Sequence, residues 1–201
     1  MIDDILISAN LYTEGLKLVE ERRAQWIEKH AVLKKRLTEI ADYLNEHSGY
    51  KQGYYVDSLQ AFNEEIKGSC AGIPSLTFRS GKMPLMVEFC NEKGEEMKYM
   101  EDGFRIEFTP TITGQVIVIL YAHQSPLSKN TPDHGTLAFI DNPGEITLEV
   151  IDEIINKGIE TAFSTSFTGI GLHKPGNTKE DPQPEQRHNP IGFKRYETTE
   201  K

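Results

Sequence analysis

Apolar residues recur every seven positions through the first quarter of the chain. Ile5, Tyr12, Val19, Trp26, Leu33 and Ile40 form one row, and Ile2, Ala9, Leu16, Leu37 and Leu44 form a second. The rows interleave at steps of three and four, which is the a/d seam of a coiled coil. No proline interrupts the chain before Ser48, so the pattern predicts one helix of about 45 residues, about 68 Å long. A helix of that length outruns a compact domain of this size, and part of it is expected to project and pair. Arg23 and His30 break the second row. A polar seam residue costs stability yet sets register or oligomeric state; a straight helix that slips about 20° per heptad would instead carry both residues out of the seam. A parallel homodimer would set Lys29 of one copy against Lys34 of the other, so an antiparallel pair or packing on another helix is expected.

The period then changes. Asp57 and Gln60 spell a capping box, and Val56, Leu59, Phe62 and Ile66 follow helical spacing up to Gly68, which predicts a short helix. From Ile73 to Asp141 apolar and polar residues alternate: Met83, Leu85, Val87 and Phe89 in one run, Phe104, Ile106 and Phe108 in another. Turn signals at Glu92 to Gly94, Asp102 to Gly103 and Thr113 to Gly114 separate the runs, giving five or six short antiparallel strands. Leu148, Ile151, Ile155, Ile159 and Ala162 form a helical stripe that can cover one face of that sheet. The stretch EITLEVI also alternates, so this helix is expected to start late. The expected fold is α+β: an antiparallel sheet with flanking helices behind a long heptad-patterned helix. The parts are residues 1–47 (helix), 48–170 (α+β domain) and 171–201 (irregular polar tail).

Charge narrows the partners. The formal net charge is −9, and residues 48–170 hold 17 acidic against 9 basic side chains. Such a surface repels phosphate backbones and anionic headgroups, which argues against nucleic acid or membrane as the main partner. The longest apolar run, Val116 to Ala122, is far too short to span a bilayer. The first residues lack the basic start and apolar block of an export signal. Cys70 and Cys90 form no CxxC pair and read as small buried hydrophobes of a reducing compartment. A cytoplasmic protein is therefore expected. In the tail, Ile191, Phe193 and Tyr196 among Arg187, Lys194 and Arg195 resemble a docking segment.

Candidate chemistry is sparse. Gly171 to Thr178 almost spells a phosphate-binding loop, but Asn177 replaces its lysine and no helix can follow through KEDPQPEQ. The loop AHQSPLSKNTPDHG is richer. If its flanking strands form a hairpin, His123 and His134 meet at its base, where opposed Cβ atoms lie about 5 Å apart, and Asp133 supplies a third ligand for a divalent metal. A Ser125 nucleophile would need an activating histidine and an oxyanion donor, and nothing in the pattern provides the donor. The turn formers Ser125-Pro126 and Thr131-Pro132-Asp133 explain the same letters as a structured loop. The favoured expectation is a non-enzymatic assembly or adaptor protein. It would act without a cofactor, by self-association into a homo-oligomer or by binding a protein partner through Ile5, Tyr12, Val19, Trp26, Leu33 and Ile40. The alternatives are a metal-assisted hydrolase built on His123, Asp133 and His134, and a small-ligand-binding domain between sheet and helix.

Overall fold

The computed structural model describes residues 2–60, 73–123 and 134–167. The elements in chain order are helix α1 (Ile2–His47), strands β1 (Tyr54–Gln60), β2 (Pro74–Ser80), β3 (Met83–Cys90), β4 (Glu96–Glu101), β5 (Arg105–Pro110), β6 (Val116–Tyr121) and β7 (His134–Ile140), a 3-10 turn (Pro143–Glu145) and helix α2 (Leu148–Ser166). Five strands pair antiparallel in the order β1-β2-β5-β6-β7, and β3 with β4 makes a separate ribbon inserted between β2 and β5. The α+β architecture expected from the periodicities is therefore present, with the Met83–Cys90 run in the ribbon and outside the main sheet.

Period-two alternation decides which face of the sheet is dry. Leu76 and Phe78 on β2, Ile106 and Phe108 on β5, and Val116, Val118 and Leu120 on β6 are all buried, and the register sets them side by side. Two helices cover them. The C-terminal half of α1 lies over β1 and β2, and α2 lies over β6 and β7. Trp26, Leu33, Leu37 and Ala41 from α1 and Ile151, Ile154, Ile155 and Ala162 from α2 complete one continuous core with the sheet. Leu137 joins it through a β-bulge: Val118 pairs with Ala138 and Ile119 with Thr136, so the extra residue turns inward.

The start of α2 follows from one side chain. Thr147 is extended, and its hydroxyl accepts from the Val150 N–H, so the helix begins at Leu148 and not at Glu145. Gly158 in this helix costs about 1 kcal/mol against alanine in intrinsic propensity. A Cβ there would meet Ile106 Cδ1 at 2.3 Å and Leu137 Cδ1 at 3.1 Å, so the glycine lets α2 sit close on the sheet.

One expected element is corrected. Residues 54–60 are a strand, not the first turns of a helix. Val56 and Leu59 fit both periods over so short a span, and the tertiary partner settles it: β1 pairs along its length with β2, Val56 opposite Phe78. Asp57 caps nothing; its carboxylate takes the Arg79 guanidinium. Phe62 and Ile66 lie outside the described residues. Cys90 also departs from expectation, because it is exposed at the end of β3; Cys70 lies outside the described residues.

The hairpin between β5 and β6 abuts α1. Gly114 turns it with a φ of +79°, and a Cβ at this position would lie 2.7 Å from Arg22 Cβ and 3.0 Å from the Val19 carbonyl oxygen. Gly114→Ala combines a left-handed backbone with a backbone collision, and we expect a loss of about 2 kcal/mol of stability, readable by thermal denaturation. Among the described residues no helix is long and apolar enough to cross a membrane.

Candidate functional site on the first helix

The heptad seam is continuous in sequence and divided in space. Trp26 and Leu33 are 0% exposed. Ile40 and Leu44 pack partly buried against the same core. Trp26, Leu33 and Ile40, expected to meet another molecule, are taken up by the chain's own core, and this corrects the reading of Trp26 as a partner anchor. Val19 is half-buried beside the Gly114 hairpin. In contrast, Ile5 and Tyr12 are 64% and 70% exposed.

The two seam defects mark where the helix docks. Arg23 Nη2 donates to the Ile112 carbonyl at 2.8 Å, on the β5–β6 hairpin. His30 stands edge-on to Trp26, with ring centroids 5.9 Å apart, and its Nε2 lies 3.4 Å from the Ser58 hydroxyl on β1. Both polar residues thus face the sheet's own polar groups. Burial, and then Lys34, lower the His30 pKa against a weaker opposing contact from the Ser75 backbone. The unfolded chain therefore binds a proton, near pH 6.5, that the folded chain refuses. Stability should fall as pH drops from about 7 toward 5.5, and His30→Gln should flatten that slope in denaturation curves taken across the range.

Four further contacts hold the docked half. Trp26 Nε1 donates to the Pro74 carbonyl at 2.8 Å, and Lys29 Nζ to the Ile146 carbonyl at 3.1 Å. Gln25 Oε1 accepts from the Gly144 N–H at 3.3 Å. Arg36 clamps Asp152 on α2 through both carboxylate oxygens, at 2.8 and 2.6 Å. That hydrogen-bonded guanidinium holds the Asp152 carboxyl below the usual carboxylate range.

Residues 2–18 form an arm about 25 Å long. Ile2, Ile5, Leu6, Ile7, Leu11, Tyr12, Leu16 and Leu18 are all exposed on it. The seam accounts for Ile2, Ile5, Tyr12 and Leu16. Ile7, Leu11 and Leu18 recur at four and seven residues along a different side. A helix with apolar stripes on two sides is normally buried on both, and an exposed apolar surface of this extent marks an interaction site.

The second candidate, the loop after β6, does not assemble as expected. His134 pairs with Tyr121 across the β6–β7 ladder, and their rings stack with centroids 5.8 Å apart. His123 turns elsewhere: its Nε2 meets Glu101 Oε2 at 3.0 Å, and its backbone N–H donates to the Ser166 hydroxyl at 3.1 Å. Through its ring and its backbone together, His123 ties the ends of β4, β6 and α2. The two imidazoles are not the opposed pair that a shared metal would need, because the register pairs His134 with Tyr121 and Glu101 competes for His123. Asp133 and Ser125 lie outside the described residues, and among the described residues no group of three or more His, Cys, Asp or Glu is placed to hold a metal ion. The expected docking residues Ile191, Phe193 and Tyr196 also lie outside them.

No protein-family model, curated protein or solved structure matches this chain.

Proposed function

We propose that this chain is an assembly protein whose projecting helix arm packs against the same arm of other copies. The observation that supports the reading is the pair of exposed apolar stripes on residues 2–18. Fully burying one such side chain is worth about 1.5–3 kcal/mol, so the eight, which are 45–83% exposed, supply on the order of 10 kcal/mol per arm when both stripes are covered. Two arms together exceed the low end of the association cost, about 4–15 kcal/mol.

Side-chain size favours an antiparallel pair. In that orientation seam layers form between residues whose numbers sum to 21: Ile2 with Val19, Ile5 with Leu16, and Ala9 with Tyr12. The small alanine leaves room for the tyrosine ring in every such layer. An in-register parallel pair would instead stack Tyr12 on Tyr12, leave a void between two Ala9 methyls and gather the acidic Asp3 and Asp4 of both copies at one end. The second stripe, Ile7, Leu11 and Leu18, asks for another neighbour. A tetramer is the smallest closed arrangement that gives each arm an antiparallel partner and a second contact. Sedimentation velocity across a concentration series tests the reading. A tetramer, with a dimer at low concentration, is expected; a monomer throughout would overturn it.

A further inference from the structure

The face of the sheet opposite the helices carries a different chemistry. Cross-strand pairing aligns Tyr55, Arg79, Arg105, Tyr121 and His134 in one row across all five strands. The next row begins Asp57, Thr77, Glu107. Over these rows lies a cavity of about 310 Å³ whose lining includes Thr77, Arg79, Lys82, Arg105 and Tyr121, close to the lower size limit of small-molecule sites.

Two arginines of its lining stand directly opposite each other, Arg79 on β2 and Arg105 on β5. Like charges in directly paired positions repel. Each guanidinium is held over a tyrosine: Arg79 over Tyr55 at 5.1 Å, and Arg105 over Tyr121 at 4.0 Å. Stacking of this kind orients the planar fork before any ligand arrives.

The carboxylates around the cavity are already engaged. Asp57 takes Arg79, Asp102 takes Lys82 at 2.9 Å, and Glu107 accepts from the Thr109 hydroxyl. Arg105 is the under-used group. Its nearest carboxylate oxygen, on Glu107, is 3.9 Å away, beyond hydrogen-bonding distance. Beside it Thr77 is 2% exposed, and among the described residues its hydroxyl has no hydrogen-bond partner. A buried hydroxyl without a partner costs stability and calls for an explanation.

We infer that this cavity binds a small organic oxyanion, a ligand with a carboxylate or phosphate group that Arg105 and Arg79 grip from two sides while the Thr77 hydroxyl bonds one oxygen. The anion would relieve the arginine–arginine repulsion and satisfy the buried hydroxyl together. A cation is disfavoured, because Asp57 and Asp102, the carboxylates that line the cavity, already hold Arg79 and Lys82.

The test is calorimetric titration of the full chain at constant ionic strength with three probes, inorganic phosphate, pyrophosphate and succinate. Chloride serves as the screening control. Saturable binding of at least one probe is expected, weakened about tenfold or more by Arg105→Gln. Among the described residues the Arg105 side chain makes no hydrogen bond, and its contact with the Tyr121 ring is worth about 1 kcal/mol, so this variant should melt within a few degrees of the parent protein. Thr77→Val separates a binding role from a packing role. It should melt at or above the parent temperature, because it removes a buried unsatisfied hydroxyl, while weakening the same probe several-fold. Absence of saturable binding for all three probes up to about 10 mM, or binding unchanged in Arg105→Gln, would overturn the inference.

Discussion

Replacing Trp26 by alanine should remove about 4 kcal/mol of folding stability, the range for truncating a buried aromatic side chain. Trp26 is the only tryptophan, fully buried between the docked half of α1 and the sheet. Two losses coincide. The indole leaves a cavity in a core that cannot collapse, because a rigid helix and a five-stranded sheet form its walls. The Pro74 carbonyl at the start of β2 also loses the donor it has at 2.8 Å. Against a total stability of about 5–15 kcal/mol, that is a quarter or more of what holds the domain. Urea denaturation followed by circular dichroism reads the loss. Trp26→Phe, which keeps most of the volume and lacks the N–H, should cost about 1–2 kcal/mol. A loss under 1 kcal/mol in the alanine variant would mean that α1 does not seal this core.

The second large effect concerns the arm and should leave stability almost untouched. Ile5→Glu together with Leu16→Glu should convert the proposed assembly to monomers, while the melting temperature of the domain stays within about 2 °C, because both positions are exposed and outside the core. The proposed antiparallel register would place position 5 of one arm against position 16 of the other. Each pair of arms would then confront carboxylates in an apolar seam, at a cost of several kcal/mol. A charge reversal separates the orientations. Ile5→Glu with Leu16→Lys sets opposite charges together in the antiparallel pair and should restore part of the association. In a parallel pair it would set like against like at both positions and should dissociate the arms as fully as the double glutamate variant. Sedimentation of the three proteins decides, and an unchanged assembly in the double glutamate variant would refute the arm as the interface. Truncating Trp26 and Leu33 would not serve as this test, since both belong to the core.

Part of this was legible in the letters. The seven-residue rows announced a helix of 46 residues, because a heptad repeat sustained from Ile2 to Leu44 has no other regular conformation that keeps its apolar residues on one side. The turns at Gly94 and Gly114 were legible for a similarly local reason, both being left-handed where glycine is cheapest. Residues 54–60 were not legible, since a span of seven holds too few periods to separate Val56 and Leu59 on a helix from Tyr54 and Val56 on a strand. The histidines of the loop misled through register. A bulge at Leu137 and a pairing that sets His134 beside Tyr121 shift the side chains away from the simple hairpin geometry, and Glu101, distant in sequence, captures His123.

By itself, then, the chain determined that residues 2–47 are helical, that an antiparallel sheet follows, and that a second helix covers it. Each depends on periodicity expressed within one element. The tertiary structure alone decided which half of the heptad seam is covered internally, why Arg23 and His30 interrupt it, and that Arg79 and Arg105, 26 positions apart, stand side by side over a buried hydroxyl. Apolar spacing states that a face must be covered; what covers it depends on the path of the whole chain and on strand register, which no single element encodes.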